Sequence, residues 1–366
     1  MLSEDELKNI GEIIDRLMTV PVYTGSSLTR RPVLLELYEA ARKKFGAPLT
    51  YLAADLISKS LQPGDTVLLT TGFIVPPWMR AENDGPVGAV NLARALNLAF
   101  DITPVIVAEK AVTSMMAPLC GAAGLAVTDY EKAKAYYRRV ALEQFTTDSA
   151  RAKAEAEELL ERTKPSLLVA IEKASANEKG VYHSGVGYDI SPMAAKVDVL
   201  FNMARERGIP TIGIGDGGNE LGMGCIKETV KQVVHTGGKC GCPCGAGTHS
   251  GTETDLLLVV MVSNWGATAI AANLAARLGK PEILHKRSME EKLLEVGATA
   301  GFIDPAAGLS LSSGDAIDKD VHLAMVDILN FIVNSRLKDS FYIEKYRWYV
   351  SERREQIQNL ISQWTE

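Results

Sequence analysis

Leu7, Ile10, Ile13, Ile14 and Leu17 recur at helical spacing behind a Ser3/Glu6 capping pair, so the pattern predicts an amphipathic helix over residues 4–18. A polar loop at 25–32 separates it from a second amphipathic helix at 33–45. The pattern then changes. Short runs at 66–71, 103–107, 167–171, 211–214 and 256–262 are apolar without alternation, and Gly or Pro closes several of them. The stretches at 88–98, 130–163, 193–206 and 265–277 are helical in period. Strands that are apolar on both faces and separated by helices predict an α/β fold, an open, mostly parallel sheet covered by helices on both faces. We expect one α/β domain over 1–366. Helices occupy 1–50, a sheet core spans 64–305 with a helical insertion at 130–163, and C-terminal helices fill 320–366, with Trp348, Tyr349 and Trp364 as anchors.

Composition narrows the function. The chain has 366 residues, 46% of them apolar, enough for a large core and too many for a disordered chain. With 39 Lys and Arg against 45 Asp and Glu, the net charge is −6, and no basic tract appears; neither nucleic acid nor an anionic membrane is an expected partner. No apolar run approaches the roughly 18 residues of a membrane helix. The acidic start, Met1-Leu2-Ser3-Glu4-Asp5-Glu6, does not read as a targeting segment, and five cysteines suit a reducing compartment, so a cytoplasmic location is expected. The C-terminal helices pack over the domain or against another subunit, which leaves a homo-oligomer open.

In an open parallel sheet, ligands bind beyond the carboxyl ends of the strands. Polar, glycine-rich clusters follow four of the strands here. The first contains Arg80, Glu82, Asn83 and Asp84; the second Glu172 and, further on, His183 and Asp189; the third Asp216, Gly217, Gly218, Asn219 and Glu220; the fourth Ser263, Asn264 and Trp265. These should meet in one cleft. Glu172, directly after a buried strand, belongs at its mouth, and His183 with Asp189 could act as an acid/base pair. Asp84-Gly85-Pro86 reads as a helix start with Asp84 as its cap, beside which a carboxylate ligand could also be held.

Gly213, Gly215 and Gly218 spell G-x-G-x-x-G, but Asp216 and Glu220 occupy the place of a pyrophosphate, so no nucleotide is expected. Asp216, Asn219 and Glu220 suit instead a divalent cation or general acid/base work, unless Asp216 merely caps a helix. Cys240, Cys242 and Cys244 lie between His235 and His249, but C-x-C-x-C is not the paired C-x-x-C of structural zinc sites. A mobile loop of free thiols, dispensable for the chemistry, is the expectation, with Cys120 and Cys225 as small buried side chains.

The run from Gly215 to Gly224, with Val262-Ser263-Asn264-Trp265-Gly266-Ala267 and Glu82-Asn83-Asp84-Gly85-Pro86, resembles the D-glutamate cyclase C-terminal-domain family over about residues 72–305. In animal two-domain members of that family this domain follows a hydro-lyase-like half. The resemblance implies a lyase that dehydrates D-glutamate, or a related amino acid, to 5-oxo-D-proline. That chemistry needs a carboxylate holder (Arg80 or the helix start at 85–87), a proton carrier (Glu172 or His183) and neutralisation of the γ-carboxylate, which a cation such as Mn²⁺ or Mg²⁺ on Asp216 and Glu220 could supply. Arg80, Glu82, Asn83, Asp84, Gly217, Gly218, Asn219, Asn264 and Trp265 would line the substrate pocket. A nucleotide-using enzyme and a non-catalytic amino-acid-binding module remain open alternatives.

Overall fold

The computed structural model describes residues 2–21, 33–337, 346–347, 350–351 and 353–364 of the chain, the last stretch holding the helix Arg354–Trp364. Its centre is a seven-stranded parallel sheet. In chain order the elements are α1 (Glu4–Met18), α2 (Leu34–Phe45), α3 (Leu49–Ser60), β1 (Thr66–Gly72), the short pair β2 (Ile74–Val75) and β3 (Arg80–Ala81), and α4 (Pro86–Phe100). Next come β4 (Thr103–Ala108), α5 (Lys110–Ala122), β5 (Ala126–Thr128), α6 (Tyr130–Ala135), β6 (Arg139–Gln144), α7 (Ser149–Thr163) and β7 (Leu167–Lys173). The chain continues through α8 (Val197–Glu206), β8 (Thr211–Gly215), α9 (Lys227–Val233), β9 (Leu256–Val259), α10 (Ser263–Leu278), α11 (Arg287–Ala300) and α12 (Lys319–Leu337).

The strand order is β5-β6-β4-β1-β7-β8-β9. From β1 the chain winds outward on one side and returns at β7 on the other, which puts the switch point between β1 and β7. Alternate side chains explain the unbroken apolar runs. Val67, Leu69, Ile106, Val169, Ile171, Ile212 and Ile214 enter one core with α1, α3, α4, α10 and α11. Leu68, Val105, Val107, Leu168 and Ala170 enter a second core with α7 and α8 on the opposite face.

The helix α10 is buried along nearly its whole length, so it carries Ala and Gly where an amphipathic helix would carry charge. Gly88 of α4 shows how close the helices come: a Cβ there would lie 2.8 Å from the Asn264 Cα of α10. At the N-terminus the Ser3/Glu6 capping box forms as expected. Asp15 of α1 then caps a different helix, accepting from the Leu49 and Thr50 N–H groups of α3 at 2.6 and 3.0 Å.

Three expectations need correction. The segment 130–163 is not a helical insertion: it holds α6, the sheet strand β6 and α7, because Val140 and Ala141 are buried between sheet neighbours while Ala/Glu-rich α7 packs outside. The N-terminal helices run to Ser60, not to residue 50, since Leu49, Ala53, Ala54 and Ile57 form another buried stripe. The helix Arg354–Trp364 buries none of its residues, and Trp364 is 91% exposed, so among the described residues it is no anchor. The expected loop at 25–32 and the residues Trp348 and Tyr349 lie outside the described residues. No helix among the described residues is long and apolar enough to cross a membrane.

Candidate functional site

The switch point opens a crevice where β1 and β7 end. Register slips there: Thr71 pairs with Ile171, but Gly72 pairs with Lys173, which leaves Glu172 as the unpaired residue of a bulge. Glu172 has φ +47°, a left-handed conformation that costs a side-chain-bearing residue roughly 1–3 kcal/mol. Gly85 fills the crevice floor at φ +89°; a Cβ there would lie 2.5 Å from Thr71 Oγ1 and 2.8 Å from Glu172 Cβ.

Two helix N-termini, those of α4 and α10, face each other across this floor and cap one another. Asp84, which precedes α4, accepts from the Ser263 and Asn264 N–H groups of α10 at 2.9 and 2.8 Å. Asn264 Oδ1 of α10 accepts from the Gly85 and Gly88 N–H groups at 2.9 and 2.6 Å. Asp84 is therefore not the cap of its own helix; Gly85 takes that position, with Pro86 behind it. The same exchange closes the α4 N-terminus at Gly85 and Gly88, the place expected to hold a ligand carboxylate.

Around these caps the structure gathers carboxylates. Oxygens of Asp84, Asp216 and Asp315 lie within 4.8 Å of one another, and so do those of Glu172, Asp216 and Glu220; Asp216 belongs to both groups. Burial, then the neighbouring charges of Asp216 and Glu220, raises the Glu172 carboxyl well above the usual range. Burial and the charges of Glu220 and Asp84 do the same to Asp216. Asp315 is raised by burial and by Asp84 and Asp216, and Glu82 by burial and by Asp84, Glu220 and Asp304. Asp84 is raised by burial alone, against three N–H donors that favour its charge.

Among the described residues none of these groups forms an ion pair with a Lys, Arg or His. Lys173, next to Glu172 in sequence, is fully buried and bonds Glu109 and the Gly72 carbonyl instead. The remaining partners are neutral. Ser263 Oγ donates to Glu172 at 2.7 Å, and the Gly217 and Gly218 N–H groups donate to the two Glu220 oxygens at 2.8 and 2.7 Å. Asp315 Oδ2 and Asn83 Oδ1 are buried without a partner.

Asp315 was not among the sequence candidates. It follows the last strand by more than fifty residues, so the strand-end rule does not reach it; Ser312-Ser313-Gly314-Asp315 is the polar cluster that could have drawn attention. Trp265 was expected in the pocket, but its indole N–H donates to His322 Nδ1 at 2.9 Å, and His322 Nε2 meets the Gly314 carbonyl at 3.3 Å. It braces the loop that carries Asp315. Arg80 lies away from the carboxylates: exposed, it donates to the Gly301 carbonyl and Ser310 Oγ at 2.6 and 2.8 Å. Asn83 bonds the Ser313 carbonyl and accepts from Asn264 Nδ2, so it ties the same loops together.

The loop after β8 begins no helix at Asp216; the chain runs irregularly to Gly224, and α9 starts at Lys227. Asp216 is therefore not a helix cap, and the loop lacks the adjoining helix N-terminus that pyrophosphate binding uses. Asn219 turns away from the carboxylates, and its Nδ2 donates to the His183 carbonyl at 2.9 Å.

His183 itself is not in the carboxylate cluster. Its Nε2 lies 3.2 Å from Cys242 Sγ and 3.5 Å from Cys244 Sγ. Asp189 pairs with it through the backbone, and its carboxylate accepts from the Ser191 N–H. The cysteines form no disulfide, as expected, and Cys120 and Cys225 are buried. What the linear spacing hid is the histidine, which comes from a loop 59 residues before Cys242. His235 is exposed, and His249 bonds the Gly237 carbonyl.

A depression of about 840 Å³ lies elsewhere, lined by Lys110, Glu143, Arg151 and Arg162 among others. Both of its arginines are paired, Arg162 with Glu143 at 2.9 Å and Arg151 with Glu155 at 2.6 Å, whereas the carboxylates of the crevice have no such partner among the described residues.

Residues 39–330 match the family model described as D-glutamate cyclase-like, C-terminal. The human protein named D-glutamate cyclase, mitochondrial, is 31% identical over 228 residues, covering 59% of this chain and 34% of the human one. The chain thus spans about a third of the length of that relative.

Proposed function

Because the chain belongs to the D-glutamate cyclase-like, C-terminal family, we propose that it is a lyase converting D-glutamate, or a closely related amino acid, into 5-oxo-D-proline at the carboxylate crevice. One observation carries the reading: the crevice concentrates buried carboxylates around Asp216 with no basic partner among the described residues. Such a site needs positive charge from its ligand, and an amino acid brings an ammonium group.

In the reaction the amine nitrogen bonds to the γ-carboxyl carbon, a C–O bond breaks and water leaves. The ammonium must first lose a proton, and the departing oxygen must gain protons. Glu172 is the acid of this scheme: burial and the charges of Asp216 and Glu220 favour its protonated form, and the Ser263 hydroxyl steadies the carboxylate left after transfer. Asp216 is the base, because its raised pKa brings it nearer to that of an amine. Glu220 is fixed beside both by the Gly217 and Gly218 N–H groups, which donate to its two oxygens.

A substrate with two carboxylates also carries charge that this crevice repels. The all-oxygen donor set and the unpartnered Asp315 Oδ2 fit a hard divalent cation such as Mn²⁺ or Mg²⁺, held by Asp84, Asp216 and Asp315 or by Glu172, Asp216 and Glu220. Such an ion supplies charge neutralisation and polarisation of the γ-carboxyl group.

A thermal-shift screen of D- and L-amino acids, with and without Mn²⁺, followed by product analysis tests the reading. A cyclase should be stabilised by D-glutamate and return it as 5-oxo-D-proline. A ligand that stabilises the protein and is recovered unchanged would instead identify a binding module.

A further inference from the structure

We propose that His183, Cys240, Cys242 and Cys244 form a structural zinc site that fastens the two loops flanking the carboxylate crevice. The four donor atoms lie within 4.8 Å of one another. Cys240 Sγ is 3.4 Å from Cys242 Sγ and 3.3 Å from Cys244 Sγ, and His183 Nε2 is 3.2 and 3.5 Å from the latter two. A tetrahedral ion with bonds of about 2.3 Å to sulfur and 2.0 Å to nitrogen holds its ligands about 3.8 Å (S–S) and 3.5 Å (S–N) apart. The four observed separations lie within about 0.5 Å of those edges, and the remaining two fall within 4.8 Å. Its sulfurs are too far apart for a disulfide, whose bond is about 2.05 Å.

The chemistry of the donors selects the ion. Three thiolates and an imidazole are a soft set that suits zinc and disfavours the Mg²⁺ or Mn²⁺ appropriate to oxygen ligands. Four protein ligands leave no open position, which marks a structural rather than a catalytic zinc. The histidine supports this assignment, since it is buried and its Nε2 faces only sulfur.

Placement gives the role. His183 belongs to the connection between β7 and α8, and the three cysteines to the connection between α9 and β9. Asn177 Nδ2 donates to the Gly247 carbonyl, and the Gly251 N–H to the Ala176 carbonyl, along the same seam. From this seam two bonds reach the catalytic loop: Asn219 Nδ2 to the His183 carbonyl at 2.9 Å and the Ser250 N–H to the Gly218 carbonyl at 2.9 Å. Gly218 and Asn219 lie between Asp216 and Glu220, so an ion at the thiols braces the loop that presents both carboxylates. The site stands on its own donors and does not depend on the proposed reaction.

Elemental analysis of the full chain, purified without chelators or a nickel column, tests the proposal. We expect one zinc per chain, retained through gel filtration, and three Zn–S distances near 2.3 Å with one Zn–N near 2.0 Å by X-ray absorption. Cys242→Ser should lose most of the zinc, His183→Cys should keep it, and Asp216→Asn should keep it fully. The last result separates this site from the carboxylate crevice. Folded wild-type protein that lacks zinc, with all three thiols free to react or two of them joined as a disulfide, would overturn the proposal. So would iron in place of zinc, or zinc with only oxygen and nitrogen neighbours.

Discussion

Replacing Asp216 by Asn should make the metal-free protein more stable and the enzyme much slower. The side chain is nearly isosteric, and Asp216 caps no helix, so the change removes charge without removing a structural bond. Two ionised carboxylates held within 4.8 Å of each other repel by about 3.5 kcal/mol or more at an effective dielectric near 20. Uptake of protons relieves part of that, at about 1.4 kcal/mol per unit of pKa shift, which leaves roughly 1–3 kcal/mol to be gained. With an unfolding entropy of about 2.1 cal/mol/K per residue, a chain of 366 residues should gain about 1–4 °C in Tm. Turnover should fall by at least ~100-fold, the size of a general acid/base or electrostatic contribution. Scanning calorimetry in chelator and a product assay read the two effects on one preparation. Wild-type turnover, or a fall in Tm with folding otherwise intact, would refute the reasoning.

Raised carboxyl pKa values also set the sign of a pH effect. The native state binds protons more tightly than the unfolded chain at Glu82, Glu172, Asp216 and Asp315, so their contribution to stability is greatest near the ordinary carboxylate pKa of about 4 and is lost as pH rises through the raised values. In metal-free protein, the Tm advantage of Asp216→Asn over wild type should therefore widen from pH 5 to pH 8, and a constant difference would contradict it. Asn264→Ala leaves the Gly88 N–H group buried and unpaired, while the Gly85 N–H keeps its bond to Asp84, so it should cost about 1–3 kcal/mol in denaturant unfolding. Arg80→Ala should leave kcat/KM within about twofold of wild type, since the guanidinium serves Gly301 and Ser310 at the surface; a large rise in KM would return Arg80 to the substrate site.

The sheet was legible because burial on both faces leaves a local mark. Five of the seven strands show as unbroken apolar runs, and the polar clusters after them do converge at the switch point. Strand β6 was hidden because Arg139, Glu143 and Gln144 leave only a short apolar centre between two helical, charged stretches. Within the site, Asp84, Glu172, Asp216 and Glu220 could be read from the strand ends. Partners chosen by tertiary packing could not. Nothing local tells that Asp84 and Asn264 cap each other's helices, that Trp265 points to His322, or that His183 joins three cysteines. Each depends on elements far apart in sequence, where spacing carries no signal.

The central claim is that the carboxylate crevice cyclises D-glutamate. The most direct measurement is the time course of 5-oxo-D-proline formation from D-glutamate, followed by chiral chromatography and mass spectrometry, with the full chain and its Glu172→Gln variant, each in Mn²⁺, Mg²⁺ and chelator. The account predicts product from the wild-type chain with a divalent cation and a loss of at least ~100-fold in Glu172→Gln. Folded, cation-supplied wild-type protein that leaves D-glutamate unchanged, or a Glu172→Gln variant that turns over at the wild-type rate, would contradict it.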